Sequence, residues 1–505
     1  MTANLFAAIR RAVDPNHAAI LRPGGTGWTY ADLFARSAQL AHRLRALGVV
    51  PGDRIAVQVD KSRDVLALYL ASLRVGAVYL PLNDAYTPTE LAYFLGDAEP
   101  RLLVVAPKSE DAGRALADAV GARIATLGTD GDGSLVAGLD ALSDTFDDAA
   151  RAEDDLAAIL YTSGTTGRSK GAMLTHGNLC SNADTLRQAW RYSDGDVLLH
   201  ALPIYHTHGL FVASNVTMLS GAAMLLLPKF DPAAIFAALP AATVMMGVPT
   251  FYTRLLADPR LTRDAVAHVR LFVSGSAPLL AETHRAWSDL TGHRILERYG
   301  MTETNMNTSN PYEGDRRPGT VGPPLPGVEI RIVEEASGAE LPADEIGMIE
   351  VRGPNVFKGY WRMPEKTAAD FRSDGFFITG DLGRKSEDGY VEIVGRGKDL
   401  IISGGLNVYP KEVETELDAL DGVIESAVIG LPHADFGEAV VAVVVCHRDA
   451  AIDERTVIDS LAERLARFKL PKAVFFVDEL PRNTMGKVQK GVLREQYGSQ
   501  VGWSG

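Results

Sequence analysis

Eleven consecutive residues, Tyr161 to Gly171 (YTSGTTGRSKG), hold three glycines, three threonines, two serines, Arg168 and Lys170. Glycines let successive backbone N–H groups turn toward one anion, hydroxyls add donors, and the two cations balance phosphate charge. The stretch has no acidic side chain and lacks the Gly-Lys-Ser/Thr ending of a Walker loop. A polar surface turn is the plain alternative, and the density of donors favours a phosphate loop. Glu303, in Tyr-Gly-Met-Thr-Glu, can hold a magnesium ion that bridges phosphates, with the Thr302 hydroxyl on the α-phosphate, or it can be a solvated loop carboxylate. Asp381 ends the apolar run FFITGD and suits the vicinal hydroxyls of a ribose, or equally a turn. His206 and His208 stand at i, i+2 without a third ligand nearby, a pattern that lines pockets more often than it binds metal. Lys487, in PRNTMGKVQK, is either presented by its turn or one more basic residue beside Lys490 and Arg494.

Such residues need rigid elements to position them, and hydrophobic patterning supplies candidates. Arg54–Val59 alternates like a strand, Ser62 to Arg74 sets Val65, Leu66, Tyr69, Leu70 and Leu73 on one helical face, and Gly76 is a stop signal before the strand AVYLPLN. LLVVAP, LAAILYT, DVLLHALP, AMLLLP, ATVMMGVP and VRLFVSG continue the series, with helices such as 232–239 and 279–290 between several of them. Near-continuous apolar strands separated by helices imply sheets covered on both faces, hence an α/β protein. Residues 107–155, rich in Ala, Asp and Gly, read as a surface excursion. From about residue 320 the alternation of VEIRIVEE and IGMIEVRG predicts a β-rich region. Past Gly395 a smaller α+β segment follows. The expected organisation is an α/β N-terminal domain of layered sheets plus a β-rich subdomain, residues 1–396, and a small mobile α+β C-terminal domain, residues 397–505.

The 505 residues carry 50 basic and 64 acidic side chains, a net charge of −14, which argues against nucleic acid as a partner. Two cysteines, Cys180 and Cys446, are too few for a disulfide framework and fit a reducing, cytoplasmic compartment. No apolar run is long enough for a membrane span, and MTANLFAAIRRAVDPNH reads as the first helix of the fold rather than a targeting segment.

Taken in order, Thr162–Gly171, Tyr299–Glu303, Thr379–Asp381, Gly395–Lys398 and Pro481–Lys487 resemble the motif set of the adenylate-forming superfamily of acyl-CoA synthetases, adenylation domains and luciferases. ALPIYHTHGL, SGSAPLLAETHR and ERYGMTETNMNTSNP look like its malonyl-CoA synthetase branch. The resemblance implies ATP binding by Thr162, Ser163, Gly164, Thr165, Thr166, Gly167, Arg168, Ser169, Lys170, Tyr299, Gly300, Met301, Asp381 and Arg396. It moves Thr302, Glu303 (with Mg2+) and Lys487 into catalytic roles, and sets Thr207 and His208 along the acyl pocket. It implies that Arg285, on a helix opening at Pro278, pairs with the substrate's second carboxylate, and that Lys398 is a hinge. The hinge would bring Gly404–Val408 toward the pantetheine tunnel.

The activity this implies is malonate + ATP + CoA → malonyl-CoA + AMP + pyrophosphate, with CoA as co-substrate and no membrane partner. A ligase for another short acid, such as methylmalonate or acetate, and an adenylation enzyme loading a carrier protein remain as alternatives. A nucleotide-binding regulator without catalysis is disfavoured by the presence of both Glu303 and Lys487. By resemblance, Lys487 is also the target of a lysine acetyltransferase and deacetylase.

Overall fold

The computed structural model describes residues 3–22, 27–162, 169–403, 406–433, 436–448, 450, 452–462, 464–483 and 486–498. Two compact units divide the chain. One holds Met1–Glu329 and Val351–Phe377; the other holds Ile330–Glu350 and Ile378–Gly505. The β-rich stretch thus groups by compactness with the C-terminal segment.

In the first unit, six strands run in the order Arg123–Thr126, Leu102–Val105, Arg54–Gln58, Val78–Pro81, Leu156–Thr162, Lys170–Thr175. Neighbours are parallel up to Leu156–Thr162, and the last pair is antiparallel. The helix Arg63–Val75 joins two of these strands. Ser62 caps it, its hydroxyl accepting from the Val65 N–H, and Gly76 ends it at φ 75°. Residues 64–75 are all buried, as expected of a helix wrapped by protein on every side. The expected surface excursion proves partly structured: Glu110–Ala119 is a helix and Arg123–Thr126 an edge strand. Small Gly113 and Ala117 form that helix's buried face, so hydrophobicity gave little sign of it.

A second sheet of eight strands has the order Asn305–Ser309, Leu296–Met301, Leu271–Ser274, Val244–Gly247, Val197–His200, Ala223–Leu226, Ala18–Leu21, Trp28–Thr29. Its core packs Leu199, Met245, Tyr252, Phe272, Trp287 and Ile295 together. The helix after Ser274 starts at Ala281 rather than Pro278, without a side-chain cap.

The second unit contains a four-stranded sheet, Glu329–Val333, Gly347–Arg352, Phe377–Lys385 and Val391–Arg396 (its outermost residues in the first unit), and a further sheet built on the long pair Val423–His433 and Gly437–Cys446. Among the described residues no helix is long and apolar enough to cross a membrane.

Candidate active site

Thr162 and Lys170 face each other across the antiparallel pair Leu156–Thr162/Lys170–Thr175, so the phosphate-loop motif leaves and re-enters the sheet at one point. Ser163, Gly164, Thr165, Thr166, Gly167 and Arg168 lie outside the described residues. The carbonyl of Ser169 accepts from the Tyr93 hydroxyl at 2.7 Å. Lys170 is buried, with Nζ 4.5 Å above the Tyr360 ring. Burial and then the Lys366 charge lower its pKa.

Tyr360 is placed by backbone pairing of residues 358–361 along the Lys170–Thr175 strand, through Met173 N to Gly359 O at 2.9 Å and Trp361 N to Gly171 O at 2.7 Å. Its hydroxyl donates to Glu303 Oε1 at 3.2 Å, and the Thr162 hydroxyl lies 3.5 Å from the same oxygen. Thr162, Lys170, Tyr360 and Glu303 therefore form one cluster. Glu303 sits in the turn between Leu296–Met301 and Asn305–Ser309, beside Thr302. Tyr299, Gly300 and Met301 form the end of the first of these strands. Gly300 is required there, because a Cβ would come within 1.8 Å of the Asn305 carbonyl oxygen.

The same strand carries Arg298 into the protein. Arg298 is 3% exposed, and its Nε and Nη2 have no hydrogen-bond partner among the described residues. Burial pulls its pKa down to about 9, opposed by Tyr252 and Glu297, which leaves it a cation at neutral pH. Gly275 makes room for it: a Cβ at that position would lie 2.3 Å from the Arg298 Cζ. Its charge also reaches His206 and His208, both of which are held neutral chiefly by burial. His208 Nδ1 is 3.1 Å from the Ser276 hydroxyl, while His208 Nε2 and the buried Thr207 hydroxyl have no partner among the described residues. A buried cation beside neutral imidazoles and unpaired donors is suited to an anionic carboxylate.

Arg285, expected from the resemblance to meet the substrate's second carboxylate, stands on the helix Ala281–Thr291. The helix Ala281–Thr291 buries Thr283, His284, Trp287 and Thr291, and Arg285 is exposed on another face.

The second unit assembles its own set. Asp381 and Arg396 are paired in register across neighbouring strands, with Arg396 Nε 2.6 Å from Asp381 Oδ1. Thr379 fixes the approach, its hydroxyl donating to the Ile349 carbonyl and accepting from the Asp381 N–H at 3.0 Å. Lys487 ends a tight turn in which Asn483 Oδ1 accepts from its N–H at 2.9 Å and Gly486 adopts φ 74°. The Lys487 side chain keeps solvent-accessible surface, yet its ammonium is crowded by protein, and that desolvation lowers its pKa to about 8. Arg396 and Lys398 push the same way, and Asp381 and Asp399 oppose them. Salt bridges anchor the turn: Arg482 to Glu425 before it, and Lys490 to Glu414 after it. Lys398 is exposed in the short turn Gly397–Asp399, whose Asp399 pairs with Arg494 at 2.7 Å. Gly404 and Gly405 lie outside the described residues.

Sequence reasoning missed Arg298 and Tyr360. A charged residue inside the buried strand Leu296–Met301 was the available signal for the first, since arginine is seldom fully buried without a task. Nothing local marked Tyr360.

Residues 8–361 match the AMP-binding enzyme family, and residues 412–487 match the AMP-binding enzyme C-terminal domain. A feruloyl-CoA synthase of Amycolatopsis sp is 38% identical over 97% of this chain and 98% of its own. A malonate–CoA ligase of Arabidopsis thaliana is 36% identical over 92% of this chain and 81% of its own. The crystal structure of ATP-bound MatB from Rhodopseudomonas palustris superposes with a TM-score of 0.97 at 62% identity, covering 99% of this chain and all of that one. The chain belongs to the AMP-binding, adenylate-forming enzyme family and is an AMP-forming acid–CoA ligase.

Proposed function

We propose that the acid is malonate and the product malonyl-CoA. One observation carries this reading: the buried guanidinium of Arg298 in the Thr207–His208 region, whose Nε and Nη2 have no hydrogen-bond partner among the described residues. A monocarboxylic or aryl acid spends its carboxylate on adenylation and leaves those two donors without an acceptor. A dicarboxylate retains a second carboxylate for them. The exposed Arg285 has no part in this.

In the first step a malonate oxygen attacks the α-phosphorus of ATP, forming a P–O bond as the bond to pyrophosphate breaks. Two anions must meet, so positioning and charge cancellation dominate over acid–base chemistry. Lys170 and the loop before it hold phosphate, Asp381 the ribose hydroxyls, and Lys487 offers its ammonium to the attacking carboxylate and α-phosphate. Glu303 fits Mg2+: it is a buried oxygen donor, already oriented by Tyr360, and a phosphate-borne magnesium needs only one or two carboxylates. The ion would supply further charge neutralisation on the phosphates. In the second step the CoA sulfur attacks the activated carbonyl. The C–S bond forms, AMP leaves with the C–O electrons, and the thiol proton goes to solvent. Residues 397–505 turn about Lys398 between the two steps in this reading, bringing Gly404–Val408 to the pantetheine arm. A cytoplasmic location and acetylation of Lys487 belong to the same proposal. The first is supported by two free thiols, the second by the lowered pKa of that amine.

ATP–pyrophosphate exchange over malonate, methylmalonate, acetate, propionate and ferulate tests the substrate. Malonate is expected to lead propionate by a large factor. Methylmalonate is expected to trail by less, because one methyl group in a pocket discriminates by only about 1–3 kcal/mol. Faster exchange with acetate or ferulate would refute the reading.

Two further outcomes are expected. Tyr360→Phe removes one hydrogen bond to a carboxylate, about 1.5–3 kcal/mol, while keeping the ring under Lys170. The kcat/KM for ATP is expected to fall about tenfold or more, with a higher magnesium requirement; unchanged magnesium dependence removes Tyr360 from the site. Lys398→Pro fixes φ at the hinge. Adenylate formation is expected to persist while thioester formation drops, and equal damage to both steps in folded protein argues against a hinge there.

A further inference from the structure

Lys61 follows the strand Arg54–Gln58 of the six-stranded sheet and reaches the end of Val197–His200 in the eight-stranded one. Its Nζ is 2.9 Å from His200 Nδ1, 2.8 Å from the His200 carbonyl oxygen and 2.8 Å from that of Leu202. Three acceptors match the three N–H donors of an ammonium. Among the described residues no carboxylate pairs with it, and burial alone drives its pKa down. A lysine placed at this cost, outside the cluster that meets substrate, calls for a role.

His200 passes the contact on. Its Nε2 lies 3.0 Å from the Gly209 carbonyl oxygen and 3.1 Å from the Ser214 hydroxyl, which itself donates to Gly209 at 2.9 Å. A carbonyl only accepts, so Nε2 carries the ring proton. Nδ1 then presents a lone pair, which suits the donor-only ammonium of Lys61. The tautomer is fixed from both sides.

Gly209 directly follows His208 in the π-helical turn His208–Ser214. Such wide turns are rare and concentrate at functional sites. Gly209 is pressed against Pro203, whose carbonyl oxygen would lie 2.0 Å from a Cβ at 209. The turn that aims Thr207 and His208 is therefore held at the residue next to them.

We propose that Lys61 is a positioning residue of the acyl pocket, acting through His200 on the Gly209 carbonyl to set Thr207 and His208. This rests on reading Thr207–His208 as pocket wall, and not on malonate being the acid. The rival role is a staple between two sheets with no bearing on substrate.

Lys61→Met keeps the length of the side chain and removes its donors. For the acid that wild-type enzyme uses best, KM is expected to rise at least tenfold, with KM for ATP within twofold. A lowered Tm with KM for the acid unchanged overturns the proposal in favour of the staple. Ser214→Ala decides the matter if the lysine variant does not fold, since it removes only one of the two side-chain donors to Gly209. KM for the acid is then expected to rise about threefold with KM for ATP unmoved, and no change in either overturns the proposal. In wild-type protein labelled with 15N-histidine, the ring whose signals move in Ser214→Ala is expected to be an Nε2–H tautomer from pH 6 to 9. This readout needs no substrate, so it stands even if no acid in the panel is activated. An Nδ1–H ring, or one that titrates in that range, overturns the proposal.

Discussion

Lys487→Ala is expected to slow adenylate formation by about a thousandfold or more while leaving thioester formation from preformed malonyl-AMP near normal. An ammonium that bridges the attacking carboxylate and the α-phosphate stabilises charge chiefly in the transition state of the first step. Its loss therefore lowers kcat with little change in ATP affinity. Desolvation among Arg396, Lys398, Asp381 and Asp399 adds a second signature. The amine works protonated, and its pKa in the free enzyme is about 8. In wild type, kcat/KM for adenylation is thus full below that pH and falls as pH rises through it. The residual activity of Lys487→Ala is expected to lack that limb. Two half-reaction assays across pH on one variant measure all of this. Equal impairment of both halves, or an alkaline limb that survives unchanged, removes Lys487 from the proposed role.

The parts legible in the sequence share one property: their physics is local. Ser62 and Gly76 bracket a helix because a hydroxyl can cap its N-terminus and a glycine can take positive φ at its end. The phosphate-loop motif announces itself through composition, and the strand before it is an apolar run. What stayed hidden depends on partners distant in sequence. Tyr360 matters because residues 358–361 pair beside a strand almost two hundred residues earlier, which sets its hydroxyl against Glu303. The wide turn at His208–Ser214 meets His200, which Lys61 contacts from beyond the strand Arg54–Gln58. The helix Glu110–Ala119 escaped because its buried face is made of Gly113 and Ala117. For Arg285 the phase of its own helix is legible in the sequence. His284, Trp287 and Thr291 recur at helical spacing and define the buried face, which turns Arg285 outward.

Arg298→Met is expected to abolish the preference for a dicarboxylate, whereas Arg285→Ala is expected to leave kcat/KM for malonate within about threefold. The contrast follows from burial. Arg285 is exposed, and a surface charge contributes about 0–1 kcal/mol to an ion pair. Arg298 is 3% exposed, with Nε and Nη2 unpaired among the described residues, so a carboxylate delivered to it gains a charge-assisted contact in a dry site. Removing one partner of a buried ion pair costs about 3–5 kcal/mol, roughly a hundredfold to several thousandfold in kcat/KM for malonate. Propionate, which brings no second charge, meets an unpaired guanidinium in wild type and an apolar wall in the variant, so its activity is expected to rise. Arg298→Lys sharpens the test. An ammonium keeps the charge but not the planar fork, and partial retention of malonate activity is expected from it. ATP–pyrophosphate exchange on the three variants with malonate and propionate reads every comparison, and the KM for ATP reports whether the nucleotide site is intact. If Arg298→Met still prefers malonate by the wild-type margin, the second carboxylate is held elsewhere, and the substrate assignment loses the observation on which it stands.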